Sequence, residues 1–146
     1  MPSTSPAVEA VRSLARASRV IERASGELSL ADYRMLSAIA EGEGRASRLA
    51  AKLALGKPAI SSSVDSLCRR GLLLRSRVEG DLRATALSLT DEGRRVLDAA
   101  ESEMAARLVA LAGRTPDSER VLESLAWLGA AIEAVMAERA AEQARA

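Results

Sequence analysis

Residues 49–97 read LAAKLALGKPAISSSVDSLCRRGLLLRSRVEGDLRATALSLTDEGRRVL, and the patterns in this stretch decide the fold. Apolar residues recur at helical spacing to Ala54 and again from Pro58 to Gly71, with Leu55-Gly56-Lys57 as a tight turn between the two runs. Pro58 suits the first position of the second helix. The pattern predicts a helix-turn-helix, with a plain helical hairpin as the alternative.

The residues after Gly71 change from helical spacing to alternation. Two stretches predict short strands, Leu72–Val78 and Ala84–Leu89. The residues between them, Glu79–Leu82, predict an acidic turn that contains Gly80. Arg75 and Arg77 lie on one face of the first strand, and Arg83 lies at the tip. A hairpin that directly follows a helix-turn-helix predicts a winged helix, and a solvated hairpin without a binding role is the alternative.

Helical patterns flank this stretch on both sides. They predict helices over 7–24, from a cap at Ser29 to Ala40, from Thr90 to Gly113 and from Thr115-Pro116 onward, with a frayed tail after Met136. The predicted fold is mainly α with a small β-hairpin wing, a winged helix-turn-helix flanked by N- and C-terminal dimerisation helices. The expected divisions are an N-terminal dimerisation helix over 1–28, a winged helix-turn-helix over 29–90 and C-terminal dimerisation helices over 91–146.

The last helix carries an apolar repeat at alternating spacings of four and three: Val121, Leu125, Leu128, Ile132 and Val135. This stripe could be ordinary intrachain core. However, the central winged helix leaves the first and last helices little of this chain to bury against. Self-association through the terminal helices, giving a homodimer, is therefore expected.

The composition excludes several kinds of chemistry. The 146 residues include no His and one Cys, so neither a Ser-His-Asp nor a Cys-His site can form, and four N or S ligands for zinc are lacking. A single Cys forms no intrachain disulfide. No apolar run has the length of a membrane span, and the N-terminus lacks the layout of a signal peptide. We expect a cytoplasmic protein that is not an enzyme and has no cofactor or metal.

The charge is unevenly distributed along the chain. Residues 45–83 hold nine basic and three acidic residues, a net charge of +6, so the rest must carry −5 to give the total of +1. A basic middle between acidic flanks is typical of a protein that binds nucleic acid. The alternative is a solvated helical face whose charges serve only solubility.

The stretch quoted above resembles the winged-helix core of the MarR family of bacterial transcriptional regulators. The resemblance rests on VDSLCRRGLL at the end of the second helix, on Asp81 and Arg83 as D-x-R, and on LSLTDEG after the hairpin. It implies a homodimer that binds double-stranded DNA at a short pseudo-palindromic operator. It also implies repression that ends when a small-molecule effector binds, or a cysteine oxidises, between the DNA-binding and dimerisation regions.

Eleven residues are expected to form the DNA-binding site. Pro58, Ala59, Ser61 and Ser62, at the start of the second helix, would face base edges. Phosphates would be held by Lys57, Arg69, Arg70, Arg75 and Arg77. Arg83 would enter the minor groove, with Asp81 orienting its guanidinium through an ion pair. The family often has Arg within the recognition helix, where this chain has Ser61-Ser62-Ser63, so readout is expected to depend more on Ser contacts, DNA shape and the wing.

Three further residues have two interpretations each. Cys68 lies beside Arg69 and Arg70, where positive charge favours a reactive thiolate, but a half-buried packing role is the preferred interpretation. Tyr33 and Trp127 could line a ligand pocket, although core packing is preferred for both. For the whole chain, the rival to DNA binding is a winged helix that binds protein, and an exposed apolar patch on the winged helix would favour it. No arrangement of catalytic residues supports an enzyme.

Overall fold

The computed structural model describes residues 5–145, which form six helices and one two-stranded antiparallel hairpin. In chain order these are α1 (Pro6–Ala24), α2 (Leu30–Ala40), α3 (Ala46–Leu53), α4 (Lys57–Arg69), β1 (Leu73–Val78), β2 (Asp81–Leu89), α5 (Asp91–Ala112) and α6 (Ser118–Arg145). This order confirms the predicted winged helix between flanking helices. None of the helices in the described part of the chain is both long and apolar enough to cross a membrane.

Side-chain caps fix where three of the helices begin. The Ser29 hydroxyl accepts a hydrogen bond from the Asp32 amide at 3.1 Å, and the Thr90 hydroxyl accepts one from the Gly93 amide at 2.8 Å, as the capping patterns predict. The last helix differs from its prediction. It begins at Ser118, after the Asp117 carboxylate accepts from the Arg120 amide at 3.0 Å, and it continues as helix through the tail to Arg145.

The turn between α3 and α4 depends on a different residue from the one the sequence suggests. Ala54 adopts the left-handed conformation, with φ of +52°, and the Leu55 amide donates to the Ala50 carbonyl at 3.1 Å. Gly56 has an ordinary φ of −68° and is the N-cap of α4. Helix α4 therefore begins at Lys57, one residue before Pro58.

The hairpin is longer than predicted. Leu73 pairs with Leu89 and Arg77 with Thr85, and a register shift then brings Val78 opposite Asp81. Strand β2 starts at Asp81 instead of Ala84, so Glu79 and Gly80 alone form the turn, with Gly80 at φ of +81°. The residues before α3 lie beside β2, where Arg45 forms an isolated bridge to Ala86 and the Leu87 amide donates to the Gly44 carbonyl at 2.6 Å.

One hydrophobic core joins the winged helix to the first half of α5. Its largest fully buried side chains come from α2, α3, α4, β1 and α5, and they are Met35, Leu36, Leu49, Leu67, Leu73 and Leu97. The core continues along α5 to Ala100 and Met104. The predicted division at residue 90 stays a prediction, but α5 clearly packs as part of the winged-helix core.

The terminal helices leave their apolar stripes uncovered in the single subunit. Both pack against α5, yet neither α1 nor α6 contains a buried residue. Their exposed large apolar side chains are Val8, Val11, Leu14, Trp127, Leu128, Ile132 and Val135. Core packing of Trp127 within the subunit is therefore wrong, because its side chain is 61% exposed. Tyr33 is half-buried against the core, as packing requires.

Candidate nucleic-acid interface

Helix α4 divides into a buried and an exposed face. Ile60, Val64 and Leu67 are buried against the core. Because residues three and four apart share a face of a helix, Ser61, Ser62 and Asp65 then lie together on the opposite side, where all three are exposed. The exposed side of α4 therefore carries small, hydroxylated side chains near the start of the helix.

An open groove runs between this face of α4 and strand β1. It encloses about 650 Å³ and is lined by Pro58, Ser61, Ser62, Asp65, Cys68, Arg69 and Arg75. Five of the eleven residues expected in the DNA-binding site meet here: Pro58, Ser61, Ser62, Arg69 and Arg75. Lys57 and Ala59 are exposed on the first turn of α4, beside the groove but outside its lining.

An ion pair crosses the groove. The Arg75 guanidinium donates to the Asp65 carboxylate, and this hydrogen bond raises the pKa of Arg75 above its ordinary value. The Asp65 backbone carbonyl also accepts from Arg69 Nε at 3.4 Å. Arg75 therefore already has a partner within the protein and must exchange or share it to contact a phosphate.

Arg70 lies away from the groove. Its Nη1 donates to the Asp32 carboxylate at 3.0 Å and its Nη2 to the Glu27 carbonyl oxygen at 3.0 Å. These contacts tie the end of α4 to the start of α2. The structure gives Arg70 a role in holding two helices together and does not bring it to the other predicted phosphate contacts.

Two cations of the hairpin have no acidic partner in the part of the chain that the structure describes. Arg77 shares a hairpin face with Arg75, because their cross-strand partners Thr85 and Leu87 are also two residues apart. No carboxylate of residues 5–145 forms a salt bridge with Arg77 or Arg83. Both guanidinium groups are exposed on the wing and are available to a ligand.

Asp81 holds the wing in a different way from the one expected. Its carboxylate accepts a hydrogen bond from the Arg83 backbone amide at 3.0 Å, and its ion pair with the Arg83 guanidinium does not form. Asp81 therefore fixes the start of β2 through the backbone and does not engage the Arg83 guanidinium. Between them, Leu82 exposes 87% of its surface at the wing tip.

Two residues of the groove have no binding role in the sequence prediction. Asp65 is one turn after Ser61 on the same face, and this spacing could have placed it there. Its pairing with Arg75 requires knowledge of how β1 returns along α4. Cys68 is half-buried in the groove wall and packs against the core, which fits its preferred packing role.

A second cavity lies between the winged helix and the helices that flank it. It encloses about 310 Å³ and is lined by Ile21 of α1, Tyr33 of α2, and Glu101, Met104, Ala105 and Leu108 of α5. The Tyr33 hydroxyl donates to Glu101 Oε1 at 3.3 Å. Burial, and next the negative charge of Glu101, raise the pKa of Tyr33, which keeps the phenol protonated.

Comparisons with known proteins give one family model that matches part of the chain and several solved structures with a similar fold. Residues 27–84 match the sequence model of the MarR family. The fold is similar to that of PcaV, a transcriptional regulator of Streptomyces coelicolor solved with its natural ligand, with 29% identity, a TM-score of 0.66, and coverage of 87% of this chain and 92% of PcaV. A comparison with curated protein sequences gives no match.

Two further solved structures share the fold along most of the chain. CouR of Rhodococcus jostii RHA1, bound to p-coumaroyl-CoA, is 26% identical with a TM-score of 0.67, over 84% of this chain and 87% of CouR. MosR of M. tuberculosis, solved with DNA, is 24% identical with a TM-score of 0.63, over 90% of this chain and 98% of MosR. The sequence match over residues 27–84 and these similar folds over most of the chain agree with the resemblance of residues 49–97 to the MarR family of transcriptional regulators.

Proposed function

We propose that this protein is a sequence-specific, double-stranded DNA-binding transcriptional regulator that works as a homodimer and represses nearby genes. The observation that carries the proposal is the groove beside α4, which combines a small hydroxylated helix face with Arg69 of the same helix and Arg75 of the adjoining hairpin. A helix with small exposed residues can approach base edges closely, while guanidinium groups on either side hold the phosphates.

The structure supports a division of roles among the exposed residues. Ser61 and Ser62 face base edges in the major groove, with Pro58 and Ala59 allowing close approach. Lys57, Arg69 and Arg77 bind phosphates. Arg83 enters the minor groove from a wing whose backbone Asp81 holds in place. Arg75 binds a phosphate only when its ion pair with Asp65 opens.

A homodimer would place two such surfaces on one operator. The uncovered apolar stripes of α1 and α6 support this assembly, because exposed apolar area of this extent is usually buried in an interface. MosR, which shares the fold, was solved with DNA. Two symmetry-related recognition helices match a pseudo-palindromic site, whose half-sites lie about one helical turn apart.

A small-molecule effector would end the repression. PcaV and CouR were both solved with small molecules bound. In this chain the cavity between α1, α2 and α5 lies between the winged helix and a dimerisation helix. A ligand there can shift the two recognition helices relative to each other, since α5 belongs to both regions.

The rival function is a winged helix that binds a protein without reading DNA, and one observation favours it. Leu74 and Leu82 expose large apolar side chains on the hairpin, 58% and 87% of their surfaces. Neither function needs catalysis, and we propose that the protein is not an enzyme.

Selection of bound fragments from random DNA, followed by affinity measurements on variants, tests the function. Arg77→Ala should weaken binding to operator and random duplex alike and make the salt slope shallower by roughly one unit. Ser62→Ala should cost on the order of 1–3 kcal/mol on the operator alone.

Arg114→Ala is the matched control for these variants. Arg114 follows α5, whose 22 residues extend about 33 Å from the end of the wing. Its replacement should leave both affinities unchanged. Failure to select any fragment, or equal losses from Arg77→Ala and Arg114→Ala, would favour the protein-binding rival.

A further inference from the structure

The cavity between α1, α2 and α5 has a polarised lining. Ile21, Met104, Ala105 and Leu108 form apolar walls, and Tyr33 and Glu101 place their polar atoms together at one end. Glu101 is the only one of the six lining residues with a carboxyl group. A ligand that fills this cavity therefore meets hydrocarbon along most of its length and one carboxylate.

Among residues 5–145, no basic side chain lines the cavity. Ile21 and Ala24 of α1 pack against the core, and Ala17 and Val20 are the other half-buried residues of this helix. The four arginines of α1 are exposed, and two of them, Arg12 and Arg16, form ion pairs with Glu9 on the same helix. A carboxylate ligand would thus find no cation in the lining to balance its charge.

The Tyr33 hydroxyl reinforces this preference. It donates to Glu101 Oε1, and burial and next the charge of Glu101 raise the pKa of Tyr33 despite a hydrogen bond with Ser37 that lowers it. A phenol oxygen can accept hydrogen bonds as well as donate one, so the Tyr33 oxygen can accept from a ligand beside Ser37. A protonated amine supplies several N–H donors and can bond to the Glu101 carboxylate and the Tyr33 oxygen together.

We propose that this cavity binds a small amphipathic cation, with a protonated amine at Glu101 and Tyr33 and an apolar body against Ile21, Met104 and Leu108. The volume of about 310 Å³ suits a single small molecule. The inference deepens the proposed function and rests on it, because it names the chemical class of effector that this regulator would take.

Three probes of one shape, 4-phenylbutylammonium, 4-phenylbutan-1-ol and 4-phenylbutanoate, test the proposal on the full chain. Binding is measured from the ¹³C-methyl NMR signal of Met104, which Met104→Leu assigns. The ammonium should shift this signal and bind at least about fivefold more tightly than the carboxylate, the ratio expected for one partly solvated ion pair.

Glu101→Gln should weaken binding of the ammonium by about fivefold and leave the affinity for the alcohol unchanged, because only the charge is removed. Glu103→Gln is the matched control: it lies two residues further along the same helix, outside the lining, and should change neither affinity. Tyr33→Phe provides a second variant should Glu101→Gln fold poorly, and it too should weaken the ammonium more than the alcohol.

Equal binding of ammonium and carboxylate, or equal effects of Glu101→Gln and Glu103→Gln, would overturn the proposal. Operator affinity is measured separately, first without a probe and then with each one. The ammonium should lower it and the carboxylate should not. An ammonium that binds with Glu101 dependence to a protein that selects no DNA would contradict the proposed function and leave the cavity chemistry intact.

Discussion

At the scale of single residues, Gly93 shows how closely the first turn of α5 approaches the wing. A Cβ added at this position would overlap the Leu72 carbonyl oxygen and lie 2.9 Å from its carbonyl carbon. The same turn is held by Thr90, whose amide donates to the Leu72 carbonyl at 3.1 Å and whose hydroxyl donates to the Gly71 carbonyl at 2.6 Å. Backbone meets backbone here, so no side chain can move to make room.

Gly93→Ala should therefore lower the free energy of unfolding by about 2–3 kcal/mol, as overpacking against a fixed backbone does. Gly129→Ala in α6 is the matched control, because no atom of residues 5–145 outside the local helix lies within 4 Å of its added Cβ. The control should be neutral or stabilising, since Ala has the higher helix propensity. Urea unfolding at one protein concentration measures both, and equal effects would contradict a close approach at Gly93.

Ala54 is the second residue whose backbone decides a local structure. A left-handed conformation costs an L-residue with a Cβ about 1–2 kcal/mol, and Gly avoids this cost. Ala54→Gly should stabilise the protein by about 1 kcal/mol in urea unfolding. The same substitution at Ala51, inside α3, should destabilise it by a similar amount through lost helix propensity. Effects of the same sign would show that the left-handed conformation of Ala54 does not lower the free energy of unfolding.

The start of α5 and the left-handed conformation of Ala54 differ in how well the sequence predicts them. Thr90 and the acidic residues after it are a capping pattern, so the start of α5 follows from local chemistry. Nothing local marks Ala54 as left-handed, because Gly56 is the better candidate two residues later. The docking of α3 on α4 selects Ala54 instead, and that selection depends on packing that a linear pattern does not contain.

At the scale of elements, the Asp65–Arg75 pair joins the recognition helix to the wing. Both side chains are about half exposed, so water screens the pair and it contributes at most about 1 kcal/mol to stability. Its larger effect is on the charge of the groove, where a carboxylate occupies the guanidinium that would otherwise meet a phosphate.

Asp65→Asn should raise the affinity for random duplex DNA and make the salt slope steeper by roughly one unit, because Arg75 is released to a phosphate. Asp98→Asn on α5, which removes the same charge outside the groove, is the matched control and should change the slope little. Affinities at two salt concentrations provide the measurement. Weaker binding of Asp65→Asn would instead mean that Asp65 holds Arg75 in its working position.

The elements themselves are largely predictable, and their contacts are not. Helical spacing and alternation identify α2 through β2 within a few residues, because each pattern reflects burial on one side. The contacts of the basic side chains, in contrast, do not follow from the sequence pattern. Arg69 and Arg70 are neighbours in the chain, yet one lines the groove and the other binds Asp32, 38 residues away. Such an outcome follows from the direction in which α4 ends, which only the folded chain defines.

At the scale of the whole molecule, the uncovered stripes of α1 and α6 point to a second copy of the chain. Trp127, the single tryptophan, is 61% exposed in the subunit, and Ile132 is 55% exposed on the same helix. Apolar side chains of this size gain about 1.5–3 kcal/mol each when fully buried. Several of them on two helices can stabilise a dimer against the loss of independent motion of two subunits.

The protein should therefore elute as a dimer of about 31 kDa, twice the 15.4 kDa of the chain, at micromolar concentration. Light scattering after size exclusion measures this mass. Ile132→Glu should shift the mass toward 15.4 kDa and move the Trp127 emission to longer wavelength, because a charge buried in an interface is not tolerated and the indole becomes solvated. Glu133→Ala, the next residue along α6, controls for a change of helix surface and should leave both signals as they are.

Melting temperature should rise with protein concentration in the wild type and not in Ile132→Glu, since only a dimer couples stability to association. A wild-type monomer at high concentration would remove the interface, and with it the two recognition helices that a pseudo-palindromic operator requires.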